Sequence, residues 1–206
     1  MGEHPLALSL DGPLRTERLL LRTLQPGDAD AIHAYRSLAD VARYVPFAPM
    51  SPELIADRLA GFWARHRADG EGEGIVVGFE RVDTGELIGD LALMLVSDEH
   101  RGAEIGWVLN PDHGGQGYAT EAARAGLGLL FAAGAHRVVA RVDARNRPSL
   151  RLCERLGMRR EATLIANEWF KGEWTDEVDY ALLEDEWPTD SSGIRSATES
   201  TTRLAR

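Results

Sequence analysis

The sequence predicts an α/β protein of the α+β type, in which a mixed central sheet is flanked by helices. Residues 74–109 hold three successive strand patterns, and segments with helical spacing stand on both sides of them. Strands and helices do not alternate regularly, which excludes a doubly wound nucleotide fold. We expect about six to seven strands and about four helices in one domain, residues 1–188.

The N-terminal part of the chain predicts one strand and two helices. Apolar residues dominate Glu17–Leu24, which favours a strand, and Pro26-Gly27-Asp28 ends it and starts a helix that reaches about Leu38. Ser51 directly before Pro52 is typical of a helix start, because Ser is a good N-cap and Pro is favoured at the first helical position. A second helix should therefore begin there.

The middle of the chain predicts a meander of three strands. Asp83-Thr84-Gly85 lies between the apolar runs 74–82 and 86–96, and such a tripeptide is a hairpin signal. A third run, about Arg101 to Leu109, ends before Pro111.

The remaining elements are a long helix, a short strand, a second helix and a final pair of strands. Their expected bounds are 116–133, 136–142, 147–157, 159–166 and 175–183. Residues 189–206 are rich in Ser and Thr and have little to bury, so we expect a disordered C-terminal tail there.

Charge and cysteine content exclude several classes of protein. The formal charge of −10 argues against nucleic acid as a direct partner and suits a cationic or amine substrate. A single cysteine, Cys153, leaves no internal disulfide and fits a reducing compartment. Apolar runs stay short of the roughly 18 residues that span a bilayer, and the N-terminus has no signal pattern, so we expect a cytoplasmic protein without membrane contact. The six histidines are scattered, and we therefore predict no metal site.

A glycine-rich turn between the third strand of the meander and the long helix is the most informative segment. Gly114, Gly115 and Gly117 let several backbone N–H groups converge, because glycine has no Cβ to obstruct them. The N-terminus of the following helix adds partial positive charge. Together these features predict a site for a pyrophosphate.

This turn resembles the acyl-CoA-binding loop of the GNAT superfamily of N-acetyltransferases, which reads Gln/Arg-x-x-Gly-x-Gly/Ala. Gly114 stands where Gln or Arg is usual, so we expect the grip on the phosphates to rest mainly on backbone N–H groups. The element order of residues 14–187 is also that of the GNAT fold. The closest branch resembles the ribosomal-protein N-terminal acetyltransferases of the RimJ/RimL type. The residues that carry this narrower match are Thr16–Arg22, Glu104–Trp107, Gly117–Ala122, Asn146 with Ser149, Leu156–Met158, and Gly172–Trp174 with Asp176 and Tyr180.

The resemblance implies a sheet that is splayed at the motif strand, acetyl-CoA as cosubstrate and no metal. In the family the splayed strand and the glycine loop hold the coenzyme. Carried over to this chain, the implied coenzyme-binding residues are Trp107, Val108, Leu109, Gly114, Gly115, Gln116, Gly117, Tyr118, Ala119, Thr120, Asn146 and Ser149.

Acetyl transfer also needs an oxyanion donor and an acid for the departing thiolate. A backbone N–H at Val108 or Leu109 is the implied oxyanion donor. The resemblance suggests Ser149 as the acid, and Cys153, which stands where many family members have tyrosine, is the alternative.

The base that accepts the proton of the amine is less specified by the sequence. Glu104 faces either the substrate cleft or solvent, depending on strand register. Glu121 is a rival, although an acidic residue in the first turn of a helix often interacts favourably with the helix dipole. A water chain is a third alternative for the base.

Asn146 also has a structural alternative to coenzyme binding, which is to serve as a helix N-cap.

The predicted function is transfer of an acetyl group from acetyl-CoA to a primary amine, with a protein N-terminal α-amine favoured. At pH 7 an α-amine is roughly 15% neutral, whereas a lysine needs about 4.6 kcal/mol to lose its proton. Two alternatives remain open: a small amine such as an antibiotic or polyamine, and a non-catalytic module that senses acyl-CoA. The sequence also leaves a homodimer open.

Overall fold

The computed structural model describes residues 5–188 and the backbone of residues 195–196. The predicted disordered tail, 189–206, lies outside the described residues apart from those two positions. Five α-helices are present in the described part: α1 Ala29–Arg36, α2 Ala39–Ala42, α3 Pro52–Ala60, α4 Tyr118–Ala132 and α5 Arg147–Arg155.

A large mixed sheet forms the centre of the fold. The strands within residues 5–188 are β1 Leu8–Ser9, β2 Leu14–Arg15, β3 Leu19–Thr23, β4 Arg67–Ala68, β5 Gly74–Arg81, β6 Leu87–Ser97, β7 Gly102–Leu109, β8 Arg137–Asp143, β9 Arg159–Phe170 and β10 Glu173–Leu183. Eight of them follow the order β2-β3-β5-β6-β7-β8-β10-β9, and a two-residue strand, β11 Arg195–Ser196, pairs with β2 at the edge. The short strands β1 and β4 pair separately.

The sheet opens between its two parallel neighbours, β7 and β8. Their pairing covers Gly102, Ala103 and Glu104 of β7, and then it ends, although β7 continues to Leu109. Strand β7 stays paired with β6 along its length, and β8 stays paired with β10. The result is the splay that the resemblance implies.

Helices cover the two faces of the sheet with separate cores. Helix α4 packs on β6 and β7, where Leu91 and Ile105 are fully or almost fully buried. On the opposite face α1 and α3 form a second core with Val76 and Val108. Strand β7 therefore lies between two cores, and its open edge faces the gap.

The predicted fold class is confirmed, and the predicted elements are all present. The large sheet has eight strands within residues 5–188, where six to seven were expected. Helix α3 is shorter than its apolar pattern, which includes Phe62 and Trp63, because it ends at Ala60 and a 3-10 turn follows over Phe62–Ala64. The structure adds α2 and four two-residue strands, β1, β2, β4 and β11, which are too short to leave a periodic pattern. Of the tryptophans, Trp63 is buried, whereas Trp169 and Trp174 are 64% and 61% exposed. Across residues 5–188, no helix combines the length and hydropathy that crossing a bilayer would need.

Candidate active site

A cleft of about 760 Å³ opens beside the last residues of β7, where that strand is no longer paired with β8. The glycine loop and the first turn of α4 form one wall, helix α5 forms another, and the segment after α2 closes the third side. The cleft is lined by Trp107, Val108, Leu109, Gly114, Gly115, Gly117, Ala119, Thr120, Asn146 and Ser149, together with further residues, among them Tyr44, Arg151 and Arg155. Ten of the twelve predicted coenzyme-binding residues therefore meet at one cavity.

The glycine loop adopts a conformation that other residues rarely take. Gly115 and Gly117 have φ angles of 74° and 85°, in the left-handed region where a Cβ is strained. Gly117 is the N-cap of α4, and the helix begins at Tyr118, two residues later than the sequence predicted. The loop thus turns the chain sharply at the N-terminus of a 15-residue helix, which is a favourable place for an anion.

The side chains of Gln116 and Tyr118 lie outside the lining of this cleft in the described chain. Gln116 is exposed, and its carbonyl oxygen accepts a hydrogen bond from Arg18 Nη1 at 2.9 Å. The Tyr118 ring is buried below the guanidinium of Arg18, 4.7 Å from its centre. The Gln116 carbonyl and the Tyr118 ring therefore both contact Arg18, and neither side chain lines the cleft.

Glu121 also braces the loop. It accepts hydrogen bonds from the Thr16 hydroxyl at 2.6 Å, from the Arg18 N–H at 2.8 Å and from Arg18 Nε at 2.7 Å. Burial opposes ionisation of Glu121, but these bonds outweigh it and hold the pKa of the carboxyl below its ordinary value. Its oxygens are committed to Thr16 and Arg18, which leaves Glu121 unsuited as a base.

Two arginines of α5 bring positive charge to the cleft. Arg151 and Arg155 both line it, and Arg155 Nε donates to the Thr120 hydroxyl at 3.2 Å. These side chains lie beside the backbone N–H groups on which the sequence predicted the grip to rest. Guanidinium groups suit phosphate oxygens, and here they come from the helix that faces the loop.

The backbone of β7 presents free groups to the splay. Asn110 N–H donates to the Ile88 carbonyl of β6 at 2.8 Å. Because successive residues of a strand direct their N–H groups to opposite sides, the N–H groups of Leu109 and Trp107 point away from β6, towards the gap. Of the two predicted oxyanion donors, Leu109 has the suitable direction and Val108 does not.

Asn146, Ser149 and Trp107 are joined by hydrogen bonds at the bottom of the cleft. Asn146 caps α5, since its side-chain oxygen accepts from Ser149 N–H at 3.3 Å. The hydroxyl of Ser149 accepts from Trp107 Nε1 at 3.2 Å. The N-cap alternative for Asn146 is confirmed, and the residue lines the cleft as well.

Cys153 lies one turn further along α5 and has a different environment. It is fully buried in the core that α4 and the sheet share. Burial raises the pKa of its thiol to about 12. Ser149 lines the cleft and Cys153 does not, so the structure favours Ser149 as the group that can reach the departing thiolate.

A second cavity of about 460 Å³ lies on the other side of β7. It shares Tyr44, Val45, Trp107, Val108, Asn146 and Ser149 with the first, so the two cavities meet at the splay. Glu104 lines this second cavity together with Gly106 and Val108, so its side chain faces this cavity and not the glycine-loop cleft. Burial raises the pKa of the Glu104 carboxyl, although Arg141 Nη1, at 3.0 Å, opposes this shift.

A groove leads from the second cavity to the surface. Pro46 and Phe47 line both spaces, and the tip of the β9–β10 hairpin, including Trp169 and Phe170, forms the opposite wall of the groove. Lys171 Nζ holds the two sides together by donating to the carbonyls of Ala42 and Phe47.

Comparisons with known proteins agree with this geometry. Residues 18–159 match the acetyltransferase (GNAT) domain. The chain belongs to the GNAT family of acetyltransferases. It therefore transfers an acetyl group from acetyl-CoA to an amine, and the expectation of an enzyme is confirmed.

Individual relatives refine the position within the family. The uncharacterized N-acetyltransferase YnaD of Bacillus subtilis is 35% identical over 175 residues, which cover 84% of this chain and 98% of YnaD. A solved structure of Mycobacterium smegmatis RimJ in complex with CoA-disulfide has a TM-score of 0.71 at 28% identity and covers 91% of this chain and 92% of that one. Spermidine N(1)-acetyltransferase of Vibrio cholerae is 26% identical, over 77% of this chain and 89% of that protein. The resemblance to the RimJ/RimL branch is confirmed among the structural neighbours.

Sequence reasoning missed Arg18, Arg151, Arg155 and Arg36 at this site. Arg151 and Arg155 are four residues apart in the helix that follows Asn146. Residues with this spacing lie on the same face of a helix, so the spacing could have indicated that the two arginines point in the same direction. Arg18 contacts Gln116 and Glu121 at a separation of about a hundred residues, and no local pattern reports such a contact.

Proposed function

We propose that this acetyltransferase acts on a protein N-terminal α-amine by direct transfer from acetyl-CoA within a ternary complex. The observation that carries the proposal is the meeting of the two cavities at the splay of β7 and β8. The glycine-loop cleft suits the coenzyme, and the second cavity, with its groove to the surface, suits an extended acceptor.

In this arrangement each predicted residue has a role at the reacting atoms. The Leu109 N–H is placed to stabilise the oxyanion that forms on the thioester carbonyl. Glu104, on the acceptor side, accepts the proton of the amine directly or through water. Ser149, which lines both cavities, gives a proton to the thiolate that leaves.

The charges of the acceptor cavity favour a monoamine end group. Three guanidinium groups and three carboxylates line it, so its formal charges balance. Every one of the carboxylates has a guanidinium partner: Asp90 with Arg36, Glu104 with Arg141, and Asp143 with Arg145. The cavity itself therefore offers little spare negative charge for the further ammonium groups of a polyamine.

A polyamine is the second candidate acceptor, and two observations favour it. A spermidine acetyltransferase is among the matched relatives. Beside the cavity, Asp179 and Glu168 lie close enough to Glu104 to raise the pKa of its carboxyl further. These two side chains could bind a second ammonium group outside the cavity.

The proposal is tested by release of CoA thiol from acetyl-CoA with peptides, spermidine and aminoglycosides as acceptors. We expect peptides with a free N-terminus to give the highest kcat/KM. Saturable binding of acetyl-CoA without release in the presence of any acceptor would instead support the acyl-CoA sensor.

The role of Ser149 is tested with a control on the same helix. Ser149→Ala should lower kcat by about 100-fold, the size of effect that general acid catalysis gives, while Cys153→Ala leaves kcat within about twofold. Equal kcat values for Ser149→Ala and the wild type would remove Ser149 from the mechanism.

A further inference from the structure

A buried charged network lines the acceptor cavity and has no part in the steps above. The Asp90 carboxylate accepts hydrogen bonds from the Tyr35 hydroxyl at 2.7 Å and from Arg36 Nε at 3.1 Å, and Arg36 Nη2 donates to its other oxygen. The side chains of Arg36 and Asp90 are only 7% and 2% exposed. Both residues line the cavity.

Arg36 is attached twice to the segment that follows helix α1. Its guanidinium lies over the ring of Phe47, 4.5 Å from the centre, and 4.8 Å from the ring centre of Trp63. Its backbone carbonyl accepts a hydrogen bond from Met50 N–H at 2.9 Å. Residues 43–50, which we call the acceptor loop, contain Phe47 and Met50 and form a wall of the acceptor cavity.

Asp90 connects this attachment to the reacting part of the sheet. It lies on β6 directly opposite Val108 of β7, the residue next to the oxyanion donor Leu109. The carboxylate thus fixes Arg36, and through it the acceptor loop, at the level of the splay. Lys171 holds the same loop from the hairpin side through the Phe47 carbonyl.

Such a pair is not explained by stability alone. A buried ion pair loses much of its Coulombic gain to desolvation, and apolar residues of similar size often stabilise a fold as well or better. The planar guanidinium of Arg36 lies against two aromatic rings and donates to Asp90. It can therefore hold both the carboxylate and the ring of Phe47 in one orientation, which an apolar side chain cannot do.

We propose that Arg36, oriented by Asp90 and Tyr35, is the positioning residue that sets the acceptor loop, and thereby the acceptor amine, relative to the acetyl donor. The proposal rests on the assignment of the second cavity to the acceptor. It predicts a larger effect on the acceptor than on acetyl-CoA, because Arg36 and its contact Phe47 line the acceptor cavity and not the coenzyme cleft. Only Tyr44 and Val45 of the acceptor loop line both.

The test compares Arg36→Met with Arg22→Met. Arg22 forms an equally well-defined pair with Asp28 at 2.8 Å and with Glu80, but it lines neither cavity. With acetyl-CoA and a hexapeptide that begins with alanine, we expect Arg36→Met to lower kcat/KM for the peptide by about tenfold or more and to leave KM for acetyl-CoA within about twofold. Arg22→Met should not lower kcat/KM for the peptide selectively, and it should leave KM for acetyl-CoA unchanged.

Hydrogen exchange of the backbone amides supplies a readout that needs no turnover. In Arg36→Met, amides of residues 43–50 should exchange about tenfold faster than in Arg22→Met, with α4 unchanged. If Arg36→Met does not fold, the isosteric variant Asp90→Asn is used instead. It should change kcat/KM for the peptide and the exchange of residues 43–50 in the same direction but by less. Unchanged exchange in the acceptor loop, or an equal loss for both substrates, would overturn the proposal. If the wild-type enzyme does not acetylate the peptide, the proposed acceptor is wrong. The hydrogen-exchange result would still decide the role of Arg36.

Discussion

Helix α5 places two groups that could protonate a thiolate on neighbouring turns, and burial separates their roles. Ser149 lines both cavities and is joined to Trp107, whereas Cys153 is packed in the core with the pKa of its thiol raised to about 12. Residue identity alone leaves both open. The environment of each side chain decides between them.

The inertness of Cys153 can be measured directly. We expect the native thiol to react with a disulfide reagent at pH 7 at least about 100-fold more slowly than the unfolded chain, because it is buried and its thiolate is disfavoured. Replacement by alanine should cost about 1 kcal/mol of stability through the lost packing. Rapid modification in the folded protein, with loss of activity, would return Cys153 to the mechanism.

Glu104 should give the enzyme an acid limb in its pH profile. Burial raises the pKa of the carboxyl above its ordinary value, and a base works only when ionised, so kcat should fall as the pH drops through that raised pKa. Glu104→Gln should lower kcat by about 100-fold and remove the limb.

Glu177→Gln is the matched control for Glu104, because burial also raises the pKa of that carboxyl while the residue lies outside the lining of the acceptor cavity. An acid limb that survives in Glu104→Gln would assign proton removal to water or to another group.

At the scale of elements, the turn between β2 and β3 supports the glycine loop. Arg18 bridges the Gln116 carbonyl and the Glu121 carboxylate, and Thr16 adds a third contact. The contact joins an N-terminal turn to the start of α4. This contact gives a physical reason why the family resemblance includes the N-terminal segment Thr16–Arg22 as well as the glycine loop.

Glu121→Gln should weaken this attachment in a pH-dependent way. The carboxyl has a lowered pKa in the folded state, so its contribution is fully present above the unfolded pKa and is lost as the pH falls through the folded value. We expect a loss of about 1 to 2 kcal/mol at pH 7 that fades below about pH 4, with a higher KM for acetyl-CoA. Urea unfolding at the two pH values measures it, and an equal loss at both would contradict the ionic explanation.

Local signals in the sequence account for most elements but not for the contacts between them. Ser51-Pro52 and the glycine loop were informative because capping and backbone conformation are local properties. The positions of Arg18, Arg36 and Lys171 depend on partners far along the chain, and the exposure of Trp169 and Trp174 depends on which edge β9 occupies. The periodicity of the sequence does not report long-range contacts or the position of a strand within its sheet.

At the scale of the whole molecule, the splay joins two cavities that differ in charge and shape. The net charge of −10 suggested a cationic acceptor, yet the carboxylates of the acceptor cavity are paired with guanidinium groups. Net charge acts on encounter rates over the whole surface, whereas choice of acceptor depends on the lining of one cavity. The preference for an α-amine therefore rests on the cavity and on the low pKa of such amines.

The central claim is that the chain acetylates an N-terminal α-amine in preference to a lysine. A single peptide that carries both a free N-terminus and an internal lysine tests it most directly, with mass spectrometry locating the acetyl group after reaction with acetyl-CoA at pH 7. We expect the acetyl group on the α-amine, in about tenfold or greater excess over the lysine. Acetyl groups found mainly on the lysine side chain, or turnover of spermidine with none of the peptide, would contradict it.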